Sequence, residues 1–239
     1  MPDMTPPHQT PVALVTGASR GLGLALTRAL VLRGWHVVVD ARDGERLAAA
    51  VATLPDPSAV TAIAGDVVDD DHRAALAAHV TGGLDLLVNN ASVLGPSPLP
   101  PLAEHPLPDL LEVFEVNALA PIALVQLVLP ALRLRGGRIV DVSSDAAVEA
   151  YPGWGAYGAA KAALDHASAV LAVEHPELRV HAFDPGDMGT ELHRLGDPGA
   201  DLSALPTPDS VVPALLRLLD DDLPSGRYRA ADLAAVGAA

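Results

Sequence analysis

The chain has 239 residues and a formal net charge of −15, with no run of basic residues. Because nucleic-acid binding depends on a cationic face, this charge argues against a nucleic-acid partner. The absence of cysteine excludes disulfides, thiolate catalysis and cysteine zinc sites. Half of the residues are hydrophobic but only 3% are aromatic, so we expect an aliphatic core of the kind found where helices pack on a parallel sheet.

Residues 1–10 are polar and proline-rich, and they lack the basic start and apolar centre of a signal peptide. We expect a disordered leader there, followed by a single domain over residues 11–239. The most apolar stretch, residues 118–132, contains a glutamine and two prolines and falls short of the ~18 apolar residues of a membrane span. The sequence therefore predicts a cytoplasmic protein with no membrane association.

Short apolar segments alternate with helical segments along the chain. A predicted strand at residues 12–16, a glycine turn, a helix to Arg33 and a second strand at residues 35–40 together have the size of one βαβ unit. Further strands are expected at residues 60–64, 84–88, 138–142 and 179–183, with an edge strand at 228–233, and helices at 43–53, 69–80, 109–135, 156–173 and 210–219. This alternation predicts an α/β fold, a doubly wound (Rossmann) parallel sheet with helices on both faces.

Glycines 17, 21 and 23 lie directly after the first strand and at the start of the first helix. Such a turn lets the backbone approach a pyrophosphate at a helix N-terminus, where unpaired N–H groups and the helix dipole favour negative charge. In this context the triplet predicts a dinucleotide site more strongly than an ordinary tight turn.

Tyr157 and Lys161 are four residues apart in a predicted helix and therefore share one face. A nearby ammonium favours the phenolate, so it lowers the pKa of tyrosine from about 10 toward neutrality. A tyrosine of this kind can exchange a proton with a carbonyl or alcohol oxygen near pH 7. Alone, this spacing is better explained by an ordinary amphipathic helix, and the functional interpretation depends on the dinucleotide site.

The combination of Thr16-Gly17-x-x-x-Gly21-x-Gly23 with Tyr157-x-x-x-Lys161 resembles the short-chain dehydrogenase/reductase family, in its compact single-domain branch. The resemblance covers nearly the whole chain. It implies an oxidoreductase that interconverts a ketone or aldehyde with an alcohol by hydride transfer. Tyr157 would move the proton, and Lys161 would lower the pKa of Tyr157 and bind ribose.

Ser144 and Asn117 complete the catalytic set that the resemblance implies. Ser144 lies thirteen residues before Tyr157, the interval usual in the family, and would hold the substrate oxygen. Its neighbour Ser143 should face the opposite side of the sheet. Pro121 cannot donate a hydrogen bond to the carbonyl of Asn117, which could then hold a water for a proton relay. A kink without function is the alternative.

The resemblance also implies a set of cofactor contacts. They are Gly17, Ser19, Arg20, Gly21, Leu22 and Gly23 in the turn, Arg42, Asp66 and Val67 beside the adenine, Asn90 and Ala91, Tyr157 and Lys161, and Pro185, Gly186, Met188 and Thr190 beside the nicotinamide. Two residues depart from the family pattern. Ser92 replaces the glycine that follows Asn-Asn-Ala, and Asp184 stands where the family has asparagine or a small residue.

The choice between NADP(H) and NAD(H) depends on the end of the second strand. Asp40 is close to the position where an acidic residue binds the ribose of NAD. In the family's register the discriminating position is Ala41, and the next residue, Arg42, is where NADP enzymes hold the 2′-phosphate. Arg20 is a second cation suited to phosphate. We therefore expect NADP(H), with an NAD-dependent alcohol dehydrogenase that uses Asp40 as the alternative.

The substrate should contact Ser144, Tyr151, Trp154, Tyr157 and Leu192, under a lid at about residues 188–208 that contains little regular structure. The histidine pairs His72/His79 and His175/His181 lack metal-site spacing and carboxylate partners, so we expect no metal.

Apolar faces on two helices, including Leu119, Leu127, Leu164 and Val170, favour a homodimer or homotetramer. The C-terminus departs from the family near residues 226–228, where a longer tail would be usual, which puts the tail-mediated contact in doubt. A sensor or scaffold that binds the dinucleotide without catalysis is the alternative from another functional class.

Overall fold

The structure is a computed structural model that describes residues 9–235. Most of the expected disordered leader, residues 1–8, lies outside the described residues. The remaining two leader residues, Gln9 and Thr10, are exposed and belong to no helix or strand.

The fold is built on one seven-stranded parallel sheet with the strand order β3-β2-β1-β4-β5-β6-β7. The strands are β1 Val12–Val15, β2 His36–Ala41, β3 Val60–Ala64, β4 Leu86–Asn89, β5 Arg138–Val142, β6 Arg179–Asp184 and β7 Gly226–Arg229. The strand order reverses between β1 and β4, and in a doubly wound sheet the crevice at such a switch point is where ligands bind. The predicted fold class is confirmed.

Nine α-helices are described within residues 9–235. Several of them pack against the two faces of the sheet. The nine helices are α1 Gly21–Leu32, α2 Gly44–Ala52, α3 Asp70–Ala78, α4 Leu107–Phe114, α5 Ala120–Arg135, α6 Gly155–Glu174, α7 Glu191–Gly196, α8 Pro208–Asp220 and α9 Ala230–Ala235.

The core has two aliphatic layers, one on each face of the sheet. Alternate residues of β1 enter different layers: Ala13 and Val15 pack with the residues of α1 and α8, whereas Leu14 packs with those of α3 and α5. Because successive strand residues point to opposite faces, a strand buried on both sides must be apolar throughout. This is why β1 and the centre of β2 read as continuous aliphatic runs.

Helices α4 and α5 are joined by a wider π-type turn, Glu115–Leu119, into one helix of 29 residues. Pro121 lies just after this turn and has no N–H to donate, which is a physical reason for the local departure from α geometry. By length and composition the helix could cross a membrane, but half of its most apolar window is buried inside the protein. Its buried residues, including Leu124, Val128 and Leu132, pack into the core layer on the sheet.

Two predicted segments differ from the structure. The edge strand expected at residues 228–233 is wrong in extent, because β7 ends at Arg229 and α9 begins at Ala230. The irregular lid contains the short helix α7, whose first N–H groups are capped by Thr190: its Oγ1 accepts from the His193 N–H at 3.2 Å.

Candidate active site

A cleft of about 590 Å³ runs along the carboxyl ends of strands β1 to β6. Most of the sequence-predicted site residues line it: Gly17, Ser19, Arg20, Gly21, Leu22, Arg42, Asp66, Val67, Asn90, Ala91, Ser144, Trp154, Tyr157, Lys161, Pro185, Gly186, Met188, Thr190 and Leu192. Gly23, Asn117 and Tyr151 do not. The parallel sheet brings these residues together because all of its strands end at the same edge.

The glycine turn is fixed against the segment that follows β4. Thr16 Oγ1 accepts from the N–H groups of Asn90 and Ala91 at 3.0 and 3.1 Å, and Asn90 Nδ2 donates to the Thr16 carbonyl at 2.8 Å. Gly17 has φ 68°, and a Cβ there would lie 2.8 Å from the Ala91 Cα. Gly23 lies behind the cleft, where a Cβ would come within 2.6 Å of the Gly17 carbonyl. Close backbone packing therefore requires glycine at both positions.

Asp40 is held inside the protein. Its Oδ1 accepts from the Gly17 N–H at 2.8 Å, and its Oδ2 lies 3.1 Å from His72 Nε2. Its side chain is 1% exposed, so both carboxylate oxygens are committed to the glycine turn and to α3. The expectation that His72 has no carboxylate partner was wrong, because this contact joins residues 32 positions apart and leaves no local pattern.

Three arginines surround the same end of the cleft. Arg42 is exposed and lines it, as does Arg46, which the sequence analysis did not single out. Glu191, at the start of α7, pairs with Arg20 and, at 3.1 Å, with Arg46. Arg46 lies in the first turn of α2, and no local pattern connects it with Arg42, which precedes the helix.

Asp66 and Val67 line the cleft at the end of β3. Asp66 Oδ1 accepts from the Val68 N–H at 3.1 Å, which shapes the turn before α3. At the opposite side, Pro185 and Gly186 follow β6, and the Gly186 N–H donates to Asp184 Oδ1 at 3.0 Å. These turns place main-chain groups along both walls of the cleft.

Tyr157 and Lys161 lie one turn apart on α6, and both are almost fully buried. Lys161 Nζ donates to the Val142 carbonyl at 2.6 Å and lies 5.6 Å from the centre of the Tyr157 ring. Burial raises the pKa of Tyr157 to about 12, while hydrogen bonding from Ser92 and Ser144 lowers it in part. This differs from the near-neutral pKa expected from the sequence, because burial disfavours the charged phenolate.

Lys161 is the only lysine in the sequence. Burial lowers its pKa to about 8, whereas the charges of Asp141 and Asp165 act in the raising direction. Asp141 is itself buried and accepts from Asn89 Nδ2 and Ser168 Oγ, both at 2.6 Å. Its burial raises its pKa. A buried polar network thus lies behind the lysine.

Ser144 and Ser143 both border the cleft, but their hydroxyls have different surroundings. Ser144 Oγ donates to Asp145 Oδ1 at 2.9 Å and accepts from the Ala146 N–H at 3.2 Å. Ser143 Oγ is buried and has no hydrogen-bond partner among the described residues. The hydroxyl of Ser144 is thus the one that influences the Tyr157 phenol.

Asn117 lies behind the cleft wall, and its side chain holds the segment after β4. Its Oδ1 accepts from Ser92 Oγ and from the Val93 N–H, both at 3.0 Å, and its Nδ2 donates to the Val93 carbonyl at 2.7 Å. This side-chain role was not anticipated. The departure at Ser92 therefore adds a hydroxyl that bonds Asn117 and also lies near Tyr157.

An apolar cluster borders the cleft beside Tyr157. Trp154 packs edge-on against Tyr157 with ring centres 5.7 Å apart, and Leu94 and Leu192 join the same cluster. Tyr151 is not brought to the cleft. Its hydroxyl lies within hydrogen-bond distance of two carboxylates, 2.9 Å from Asp145 Oδ2 and 2.8 Å from Glu149 Oε2, and the residue is 40% exposed.

Comparisons with known proteins agree with this geometry. A family model described as short chain dehydrogenase matches residues 11–198. The chain is 39% identical over 183 residues to the short chain dehydrogenase asqE of Emericella nidulans, covering 72% of this chain and 67% of that protein. It is 36% identical to dehydrogenase/reductase SDR family member 4 of Bos taurus, covering 79% and 70%.

Among solved structures, an alcohol dehydrogenase from the archaeon Thermococcus sibiricus, complexed with 5-hydroxy-NADP, is similar. Its TM-score is 0.82 at 26% identity, with 92% of this chain and 96% of that chain covered.

Proposed function

The chain belongs to the short-chain dehydrogenase/reductase family of oxidoreductases, and we propose that it uses NADP(H) to interconvert a ketone or aldehyde with an alcohol. The observation that carries this proposal is the convergence of Ser144, Tyr157 and Lys161 in the same cleft as the glycine turn. We also propose that residues 11–239 form one domain and that the protein acts in the cytoplasm as a homodimer or homotetramer.

The residues of the cleft fit a dinucleotide. The N-terminus of α1 has no side-chain cap, so its first main-chain N–H groups are available to a pyrophosphate. Main-chain groups at Pro185, Gly186 and Met188, with the hydroxyl of Thr190, would hold the nicotinamide end. When bound, the nicotinamide supplies or accepts the hydride.

The preference for NADP(H) is supported by the charges around β2. Arg42 is exposed at the cleft and offers a planar guanidinium, which forks well onto a phosphate. Asp40 has both carboxylate oxygens occupied, so it is poorly placed to bind a ribose hydroxyl in an NAD-specific manner. The 5-hydroxy-NADP complex of the similar alcohol dehydrogenase points in the same direction.

In carbonyl reduction, Tyr157 would donate its proton to the substrate oxygen. Its pKa of about 12 keeps the phenol protonated near neutral pH, as this role needs. The charge of Lys161, 5.6 Å from the ring centre, would stabilise the phenolate as it forms. Ser144 would hold the substrate oxygen by a hydrogen bond, and Asn117 would keep the Ser92–Val93 wall in place.

The variant Tyr157→Phe tests the proposal. We expect it to lose carbonyl reduction by at least about 10²-fold, because phenylalanine has no proton to donate, and to retain NADPH binding measured by fluorescence quenching. Tyr228→Phe is the matched control, since the Tyr228 hydroxyl bonds the Pro224 carbonyl at 2.8 Å away from the cleft and its loss should leave the rate unchanged. NADPH binding by the wild-type protein without turnover of a broad carbonyl panel would instead favour the sensor or scaffold.

A further inference from the structure

Arg227 on β7 connects three elements of the proposed active site. Its Nη2 donates to the main-chain carbonyl of Ser144 at 2.8 Å and to Asp184 Oδ2 at 3.0 Å. Its Nε donates to Asp165 Oδ2 at 3.0 Å. A single guanidinium therefore joins the segment after β5, the end of β6 and the middle of α6. Lysine could not make these contacts together, because it lacks the planar fork.

The two carboxylates paired with Arg227 are largely withdrawn from water. The side chain of Asp184 is 4% exposed and that of Asp165 is 15% exposed, against 25% for Arg227. Carboxylates this deeply placed need a partner, because removal of one member leaves an uncompensated charge. Asp184 is also fixed by its bond to the Gly186 N–H, so the pair with Arg227 extends to the loop proposed to hold the nicotinamide.

Each of these carboxylates also influences one member of the proposed acid–base pair. The charge of Asp184 raises the pKa of Tyr157, and the charge of Asp165, one helical turn beyond Lys161, raises the pKa of Lys161. A negative charge stabilises the protonated form of its neighbour, whereas the guanidinium acts in the opposite direction. Asp141 and Asp145 also face the pair, and neither is hydrogen-bonded to Arg227.

We propose that Arg227 is a positioning residue that holds the Ser144 main chain and offsets the charges of Asp184 and Asp165 beside Tyr157 and Lys161. The proposal rests on the proposed oxidoreductase function for its catalytic meaning. The effect of Arg227 on the pKa of Lys161 is a property of the folded chain and can be measured in the absence of catalysis.

The first test measures Lys161 directly. Because it is the only lysine, protein grown with ε-¹³C-lysine gives a single resonance whose shift reports the protonation of this amine. In Arg227→Gln we expect the pKa of Lys161 to rise by about one unit, because Asp165 is no longer offset. Arg227→Lys keeps the positive charge and should show a much smaller rise. This variant has a second lysine resonance, which is identified by its absence from the wild-type spectrum.

Arg179→Gln is the matched control for this titration. It removes one positive charge from the start of neighbouring β6, where Arg179 pairs with the exposed Asp222 at 3.1 Å. We expect no change in the Lys161 titration. An unchanged titration in folded Arg227→Gln, or an equal shift in the control, would overturn the proposal.

The second test uses NADPH-dependent carbonyl reduction. We expect Arg227→Gln to lower kcat by about tenfold with little change in NADPH affinity, and to move the pH profile toward higher pH. The double variant Asp165→Asn/Arg227→Gln removes the carboxylate that acts on Lys161 together with its partner. We expect it to return the pH profile most of the way toward that of the wild type.

If Arg227→Gln alone does not fold, the pH profile of the double variant is compared with that of the wild type. A pH profile that is the same in wild type, Arg227→Gln and Arg227→Lys would reject the positioning role. An inactive wild-type protein in which the Lys161 shift still occurs would reject the proposed function and leave the electrostatic role of Arg227 standing.

Discussion

At the scale of single residues, the chemistry of the cleft depends on how burial and charge act on Lys161. Its pKa is lowered to about 8, so its charge is largely present at neutral pH and is lost as the pH rises through about 8. Because that charge would stabilise the developing phenolate, we expect kcat/KM for carbonyl reduction to fall across this pH range. A pH–rate profile measured with saturating NADPH checks the prediction.

The variant Lys161→Arg tests whether Lys161 is the group that titrates in this pH range. Arginine stays protonated well beyond pH 8, so the descending step should disappear from the profile. The rate itself should drop by about 10²-fold, because the larger guanidinium does not fit a site that is 1% exposed. A step near pH 8 that survives in this variant would assign the titration to another group.

At the scale of elements, helix α7 is tied to the glycine turn and to α2 through Glu191. Its carboxylate pairs with Arg20 and Arg46, two cations that a 2′-phosphate would also attract. We expect Glu191→Gln to tighten NADP(H) binding by up to about fivefold and to leave NAD(H) binding unchanged, since only NADP(H) carries that phosphate. Fluorescence titration with both cofactors measures the difference.

Glu177→Gln provides the control for this element. Glu177 bonds Arg133 at 2.9 Å and has nearly the same exposure as Glu191, 46% against 47%, but it does not line the cleft. Both variants should leave the free energy of unfolding nearly unchanged, because exposed ion pairs contribute little. Tighter NADP(H) binding in both variants would show that the change in net charge, and not the contact of Glu191 with the two arginines, causes the effect.

At the scale of the whole molecule, an apolar surface remains on the long helix and on α6. Leu119 and Leu127 are 57% and 45% exposed, and Val170 is 41% exposed. Leu164, which the sequence analysis placed on this surface, is buried in the core and cannot contribute to it. The proposed homo-oligomer would cover the exposed residues and remove their apolar area from water.

The double variant Leu119→Glu/Leu127→Glu tests the oligomer. We expect sedimentation velocity to show a dimer or tetramer for the wild type and a monomer for the variant, because two carboxylates would have to be buried in the interface. Leu32→Glu, on α1 and 69% exposed, should not change the sedimentation coefficient. A monomeric wild-type protein would contradict the proposed homo-oligomer.

Much of this molecule could be predicted from local patterns. The alternation of apolar strands with helices, the glycines directly after β1 and the spacing of Tyr157 and Lys161 all act over one turn or one strand, where geometry follows from sequence separation. The parallel fold followed from those patterns, whereas most of the residues that line the cleft were expected from the resemblance to the family. The boundary between β7 and α9 could not be predicted in this way, because a four-residue strand and a six-residue helix are too short to show a hydrophobic period.

Only the tertiary structure decided which charged groups meet. His72 pairs with Asp40 across 32 residues, Glu191 reaches Arg46 across 145, and Arg227 reaches Ser144 across 83. Contacts between residues so far apart in sequence depend on the packing of the whole sheet, which no local period specifies. The burial that raises the pKa of Tyr157 arises in the same way. By itself, therefore, the sequence determined the fold class and the candidate catalytic side chains, and the folded chain decided their charge environment.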